Sequence, residues 1–207
     1  MSEPVLIYVH GFNSSPQSWK ARCLQQVMAE QGRSEQLRVP ALSHWPAEAI
    51  EQLQAEIDAA DGQVTLIGSS LGGYYSTWLV EQNPALRAVL VNPAVYPYRL
   101  LAEWLGQNTN LYTGDAYQLT ERHLEQLLAL DCPQLRDPAR YLLLVQTGDE
   151  TLDYREAVEK YAACAQFVQP GGSHGFEHFE ALIPAIEAFA RGRIELPEPV
   201  ALPCTDS

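Results

Sequence analysis

Three residues have the types and the chain order that nucleophilic hydrolysis requires. Ser70 lies at the centre of Gly68-Ser69-Ser70-Leu71-Gly72, and Asp149 and His174 follow it along the chain. A serine hydroxyl is a poor nucleophile until a base takes its proton, and an imidazole titrates in the right range to do so. A carboxylate can then fix the imidazole tautomer and stabilise the imidazolium that forms. These residues predict acyl transfer through a covalent intermediate on Ser70, with His174 as base and Asp149 as acid.

The Gly-x-Ser-x-Gly pentapeptide predicts a sharp strand-to-helix turn, the nucleophile elbow. The apolar run 64–67 predicts a buried strand before it, and a helical pattern covers about 71–82 after it. A side chain at Gly68 or Gly72 would collide with the neighbouring strand or helix. The pentapeptide alone is equally consistent with an ordinary turn whose serine caps a helix. The strand before it and the helix after it favour the elbow.

For both the base and the acid, the sequence offers a second candidate a few residues away. His174 lies in a glycine-flanked loop after the last predicted strand, and His178 is the alternative base. Asp149 follows Gly148 at a strand end, where an aspartate can also serve as a turn or helix cap. Asp153 is the rival acid. We favour His174 and Asp149 because the order Ser…Asp…His is the one that accompanies this elbow.

An oxyanion hole needs two backbone donors beside the nucleophile. The Leu71 N–H, immediately after Ser70, is predicted to be one, and the Phe12 N–H, in the loop after the first strand, the other. His10 and Gly11 belong to the same loop and are predicted to border the substrate, although His10-Gly11 alone is more typical of a simple turn.

The elements that must position these residues alternate between strand and helix. Strands are predicted at 5–9, 37–40, 64–67, 88–91, 141–145 and 165–168, and helices at 17–31, from 46, 71–82, 120–130, 154–163 and 179–190. Such alternation implies right-handed crossovers and a parallel sheet. We therefore predict an α/β fold: a three-layer α/β/α sandwich with a mostly parallel sheet of about six strands. Ligands bind beyond the carboxyl ends of such strands, where the candidate residues fall.

The segment 92–140 is too long for a plain connection and lacks a strand-like run. We predict a lid-like excursion whose Tyr96, Tyr98 and Trp104 line an acyl pocket. The alternative is that these aromatic side chains only pack the segment onto the sheet. The chain is otherwise predicted to be one domain over 1–207, with a loose proline-rich tail over 194–207.

Composition narrows the classes of function. The formal net charge of −13 argues against binding nucleic acid or anionic lipid. Cys23, Cys132, Cys164 and Cys204 show no C-x-x-C pairing, so we expect reduced thiols and neither a zinc site nor a redox motif. No signal peptide or membrane-spanning run is recognised. We expect a soluble, cytoplasmic monomer or small homo-oligomer acting on a small molecule.

The combined motifs resemble the α/β-hydrolase superfamily over nearly the whole chain. His10-Gly11-Phe12-Asn13-Ser14-Ser15-Pro16, taken with 68–74, is similar to the small bacterial YqiA/YcfP-type esterases. The resemblance implies a compact α/β-hydrolase fold, hydrolysis of an acyl ester or thioester without a cofactor, and triad roles for Ser70, Asp149 and His174. Unlike larger members, the chain lacks early antiparallel strands and a large cap domain.

Two alternatives to an esterase remain open. An acyl-CoA thioesterase would use the same triad, although an acidic chain offers the phosphates of CoA no long-range attraction. A non-catalytic protein could keep the fold and use its pocket to bind a ligand.

Overall fold

The computed structural model describes residues 3–203, which contain eight strands and seven α-helices. The strands are β1 (Val5–Val9), β2 (Leu37–Arg38), β3 (Val64–Ser69), β4 (Arg87–Val91), β5 (Gly106–Thr109), β6 (Ala116–Leu119), β7 (Tyr141–Gln146) and β8 (Ala165–Gln169). The helices are α1 (Trp19–Glu30), α2 (Pro46–Asp58), α3 (Leu71–Gln82), α4 (Pro97–Leu100), α5 (Glu121–Ala129), α6 (Tyr154–Lys160) and α7 (Ile183–Ala190). Short 3₁₀ turns lie at Ser34–Gln36, Leu101–Trp104, Pro138–Arg140 and Phe179–Leu182.

Six strands form one parallel sheet in the order β2-β1-β3-β4-β7-β8. Helices cover both faces: α1 and α7 pack on one side, and α2, α3, α5 and α6 pack on the other. Along β1, Ile7 faces the second group while Leu6 and Tyr8 face the first. Strands buried on both faces read as continuous apolar runs, which is why the sequence located them. The predicted three-layer sandwich is confirmed.

The strand order of the sheet reverses between β1 and β3. From β1 the chain moves outward to β2, then returns to form β3 on the other side of β1. The carboxyl ends of β1 and β3 therefore open into a crevice at this switch point, where α/β sheets bind ligands. The loop after β1 carries Phe12, and the turn after β3 carries Ser70.

The excursion between β4 and β7 contains strands that were not predicted. β5 and β6 form an antiparallel hairpin, with Gly106 opposite Leu119 and Thr109 opposite Ala116. The first strand reads Gly-Gln-Asn-Thr and is mostly exposed, so it carries no apolar run for the sequence to reveal. The predicted helix at 120–130 is present as α5, which begins with a capping box between Thr120 and His123.

The end of the chain is more ordered than predicted. The Leu202 N–H donates to the Pro170 carbonyl at 2.8 Å, and the Gly172 N–H donates to the Pro203 carbonyl at 3.1 Å. These bonds fasten the tail to the loop after β8, an edge strand whose outer side lacks a strand partner. Within the tail that was predicted to be loose over 194–207, the part near Leu202 and Pro203 is therefore fastened, and Cys204 lies outside the described residues. No helix within 3–203 combines the length and hydropathy needed to cross a bilayer.

Candidate active site

Ser70 occupies a strained turn between β3 and α3. Its backbone has φ 54° and ψ −120°, a conformation that costs a residue with a side chain about 1–3 kcal/mol. The surrounding structure holds this conformation: the Ser70 N–H donates to the Val91 carbonyl at 3.1 Å, and the Ser70 carbonyl accepts from Gly73 and Ala94. The nucleophile position is thereby tied to the end of β4 as well as to its own strand.

Glycines let the backbone close tightly around this turn. A Cβ at Gly68 would lie 2.4 Å from the Gly72 carbonyl oxygen, and one at Gly72 would lie 1.9 Å from the Val9 carbonyl oxygen. Both positions confirm the predicted close approach of helix and strand. Gly11 extends it to the loop after β1, since a Cβ there would lie 3.0 Å from the Ser70 Cβ. That loop is therefore packed directly against the serine.

His174 and Asp149 are joined by a hydrogen bond of 2.8 Å between Nδ1 and Oδ2. The Asp149 side chain is 1% exposed and the His174 side chain 24%, so the acid is enclosed and the imidazole reaches the surface of a cavity. The other carboxylate oxygen of Asp149 accepts from the N–H groups of Thr151 and Leu152. With Nδ1 donating to the carboxylate, Nε2 is the unprotonated nitrogen, the form that a general base requires.

Neither alternative takes part in this hydrogen bond, although His178 lines the same cavity as His174. Asp153 caps α6, accepts from the Arg155 N–H, and pairs with the Arg155 guanidinium at 2.8 Å; these bonds hold the pKa of the Asp153 carboxyl below its usual range. His178 is mostly exposed and lies 3.7 Å from Glu180. The structure thus brings Asp149 to His174 and leaves Asp153 on the surface.

Three polar residues that sequence reasoning missed hold the loop carrying His174. The Asn92 side-chain amide donates to the carbonyls of Ser173 and His174, and its oxygen accepts from the Gln146 N–H at 3.0 Å. The Gln146 side chain accepts from the Ser173 N–H, and Glu150 accepts from the His174 N–H. Asn92 and Gln146 end the apolar runs of β4 and β7, and a polar residue at such a strand end was the available signal.

Ser70 and His174 line one cavity of about 520 Å³. No hydrogen bond joins the two side chains among residues 3–203. The loop after β1, the start of α1 and the tip of the β5–β6 hairpin all contribute side chains to this cavity, among them Phe12, Trp19, Lys20, Leu111 and Tyr112. The cavity has the size of a small-molecule site.

The two predicted oxyanion donors are available. Neither the Phe12 N–H nor the Leu71 N–H donates to an acceptor within 3–203. Leu71 is the first residue of α3, so its N–H lies at the positive end of that helix. The Phe12 ring packs edge-on against Trp104 and Tyr117, with centroids 6.1 and 6.5 Å away, and these contacts fix the loop.

His10, which was predicted to bind substrate, is buried and holds the loop after β1. His10 is 6% exposed, its Nε2 accepts from the Leu42 N–H at 3.1 Å, and its Nδ1 contacts the Gly11 carbonyl. Burial lowers the pKa of the imidazole, which favours the neutral form. The ring borders a second cavity of about 430 Å³ and does not line the one that holds Ser70. His10 braces the loop that presents Phe12.

The three aromatic residues predicted for an acyl wall do not line the 520 Å³ cavity. Tyr96 stacks under the Arg99 guanidinium at 4.2 Å, and Tyr98 packs edge-on against Tyr96. Trp104 contributes only through its contact with Phe12. The excursion reaches the cavity through the hairpin tip, with Leu111 and Tyr112, and the sequence did not reveal that hairpin.

Residues 5–191 match the family model described as "Uncharacterised protein family (UPF0227)". The chain belongs to this family. Solved structures similar to this UPF0227 protein include alpha/beta hydrolase domain-containing protein 10 from mouse, with a TM-score of 0.69 and 14% identity over 92% of this chain and 90% of that one. Est1E from Butyrivibrio proteoclasticus, bound to ferulic acid, has a TM-score of 0.63 and 16% identity over 92% of this chain and 89% of that one. Carboxylesterase CesB from Bacillus subtilis has a TM-score of 0.55 and 19% identity over 93% of this chain and 85% of that one.

These likenesses establish the α/β-hydrolase fold of the UPF0227 chain. The resemblance to the α/β-hydrolase superfamily and to YqiA-type proteins is therefore confirmed.

Proposed function

We propose that the protein is a serine hydrolase that cleaves carboxylic esters of small to medium acyl groups. The observation that carries the proposal is the His174–Asp149 hydrogen bond, at 2.8 Å, beside the cavity that also holds Ser70. A base oriented by a buried acid, in the same cavity as a strained serine, is the arrangement that nucleophilic acyl transfer needs. The unmade Ser70–His174 bond fits this role, since catalytic hydrogen bonds often form only when substrate is bound.

In the proposed acylation step, Ser70 Oγ attacks the carbonyl carbon while His174 Nε2 takes the hydroxyl proton. The carbonyl oxygen becomes an oxyanion, which the N–H groups of Phe12 and Leu71 stabilise. The tetrahedral intermediate then collapses, the bond to the leaving oxygen breaks, and that oxygen receives the proton from Nε2. Asp149 stabilises the imidazolium throughout without taking its proton.

The proposed deacylation step repeats the chemistry with water. His174 removes a proton from a water molecule, which attacks the acyl carbon, and the same two N–H groups stabilise the second oxyanion. Collapse releases the carboxylic acid and returns the proton to Ser70 Oγ. No oxidant, reductant or second substrate is required.

The names of similar structures support the same class of reaction. Est1E was solved with ferulic acid bound, and CesB is described as a carboxylesterase. At 16% and 19% identity they share the fold, and the ester specificity proposed for this chain depends on its own site.

The direct test is replacement of the nucleophile. We expect Ser70→Ala to lower kcat/KM for 4-nitrophenyl butyrate by about 10³-fold or more, because the acyl-enzyme cannot form. A fluorophosphonate probe should label the wild-type chain, with the adduct mapped to Ser70 by mass spectrometry. Ser34→Ala, which removes an exposed serine hydroxyl, is the matched control and should keep both activity and labelling.

Two outcomes would contradict the proposal. Retained activity in Ser70→Ala would remove the serine from the mechanism. Absence of labelling and turnover in folded wild-type protein would favour a non-catalytic binding role. Comparison of butyryl-CoA with the oxygen ester separates a thioesterase from an esterase.

A further inference from the structure

Lys20 places a positive charge inside the cavity of an acidic protein. The chain has only two lysines and a formal net charge of −13. Lys20 is half-buried and lines the same cavity as Ser70 and His174. Its ammonium donates one hydrogen bond, to the Gly175 carbonyl at 2.8 Å, and has no carboxylate within 4.0 Å in the described part of the chain. An ammonium has three donors, so two remain for a ligand.

The start of α1 supplies a second, independent feature at the same place. Ser18, which precedes the helix, is 7% exposed and lines the cavity, and its hydroxyl has no hydrogen-bond partner within 3–203. It lies near the Tyr8 hydroxyl without a well-formed hydrogen bond to it. α1 has twelve residues, no side-chain cap and no acidic residue in its first turn. Its N-terminal N–H groups therefore favour negative charge, which no residue in the first turn of α1 supplies.

Two carboxylates border the cavity, and both have partners. Glu177 accepts a hydrogen bond from the Ser173 hydroxyl at 2.8 Å, and Glu180 lies 3.7 Å from the His178 imidazole. Neither forms an ion pair with Lys20 in the described residues. The positive charge of Lys20 is thus left for a bound molecule.

We propose that Lys20 and the first turn of α1, beside the buried Ser18 hydroxyl, bind a carboxylate or phosphate on the leaving group of the substrate. The proposal rests on the esterase function and adds a substrate class to it. The anion is assigned to the leaving group because of the proton transfer that releases this group. The leaving oxygen must lie within reach of His174, which protonates it. The Lys20 ammonium is bonded to Gly175, the residue next to His174. An anion held there belongs to the departing alcohol.

A matched pair of esters tests whether Lys20 favours a negative charge on the leaving group. 3-Acetoxybenzoate and its methyl ester share one scissile bond and differ by a carboxylate on the leaving group. We expect Lys20→Met to lower the ratio of kcat/KM, charged over neutral, by about 10- to 100-fold, the value of a charge-assisted hydrogen bond. Lys20→Arg should retain most of the ratio. Arg22→Met removes an exposed charge from the same helix outside the cavity, and it should leave the ratio unchanged.

Further readouts separate substrate binding from a purely structural role of Lys20. Burial lowers the pKa of Lys20 to about 8, so the wild-type ratio should fall as pH rises from 7 to 9 while the Lys20→Arg ratio stays level. The charged and titratable groups around the ammonium are Tyr8, Tyr112, Asp149, His174, Glu177, His178 and Glu180. Any pH dependence of the ratio that other groups cause is also present in Lys20→Arg, which therefore serves as the reference. A ratio that does not change in Lys20→Met would overturn the proposal.

A control pair places the anion on the other side of the scissile bond. Monophenyl adipate and methyl phenyl adipate differ by a carboxylate on the acyl group. A Lys20-dependent preference seen only with this pair would overturn the leaving-group assignment. Calorimetric binding of 3-hydroxybenzoate is independent of turnover: weaker binding by Lys20→Met than by wild type supports the anion site even if neither ester is hydrolysed. Equal binding by the two proteins contradicts it.

Discussion

Asp149 and Asp153 lie four positions apart, and their contacts give them different roles. Asp149 is enclosed, accepts from two backbone N–H groups and directs one oxygen at His174 Nδ1. Asp153 begins a helix and pairs with Arg155 at the surface. Two aspartates after a strand end were equally plausible acids by residue type, and the fold of the intervening turn distinguishes them.

This difference gives a paired prediction at the residue scale. Asp149→Asn should lower kcat for 4-nitrophenyl butyrate by about 10³- to 10⁴-fold, because an amide no longer stabilises the imidazolium or selects the reactive tautomer. Asp153→Asn is the matched control and should stay within about threefold of wild type. Steady-state kinetics on both variants, with circular dichroism to check folding, measure the effect. Equal losses in the two variants would remove Asp149 from its proposed role.

At the scale of elements, the site depends on how closely α3 approaches β1 and on how firmly the strand-end loops are tied. Gly72 lets the first turn of α3 lie against the Val9 carbonyl, and this contact sets Ser70 beside the loop that carries Phe12. Asn92 joins the end of β4 to the loop that carries His174. The two halves of the proposed catalytic unit are therefore positioned by separate elements.

The glycine contact predicts a stability change. Gly72→Ala should lower the free energy of unfolding by about 3 kcal/mol or more, since its Cβ meets backbone that cannot rotate away. Gly175→Ala is the matched control: its Cβ would meet only the Ser173 hydroxyl, at 3.4 Å, so a change under about 1 kcal/mol is expected. Urea titrations followed by tryptophan fluorescence measure both. A Gly72→Ala protein as stable as wild type would contradict the close approach.

At the scale of the whole molecule, two segments far apart in sequence, β1 and the residues before 203, adjoin the loops that line the cavity. β1 contributes the loop with Phe12, while the tail binds the loop after β8 that leads to His174. The Gln169 side chain donates to the Val200 carbonyl and adds a third hydrogen bond to this contact. The tail therefore belongs to the folded unit as far as Pro203.

The docked tail predicts an effect of truncation. Removing residues 198–207 should lower the free energy of unfolding by about 1–3 kcal/mol, since three hydrogen bonds are lost and part of that loss is offset by chain entropy. The value of kcat should fall as well, because the loop before His174 loses its outer contact. Removing only 204–207 is the control and should change neither quantity, because the three bonds remain. Identical behaviour of both truncations would show that the tail contact is unimportant in solution.

The sequence by itself determined the sheet, the elbow and the order of the candidate triad. Apolar runs such as 141–145 and glycines such as Gly72 are local signals, because burial on both faces and close backbone approach restrict residue type wherever they occur. The alternation of strand and helix then places the strand ends at one edge. From these rules the expected positions of Ser70 and His174 follow without coordinates.

Only the tertiary structure decided what surrounds those positions. The first strand of the β5–β6 hairpin has no apolar residue and each strand has only four residues, so no periodic pattern marks the hairpin, and its tip lines the cavity where Tyr96 and Tyr98 do not. Asn92 acquires its role only when β4 lies beside β7, and Lys20 is an ordinary helix residue until α1 packs beside the loop of Gly175. Contacts between residues far apart in sequence depend on packing, and packing leaves little trace in the local pattern of polar side chains.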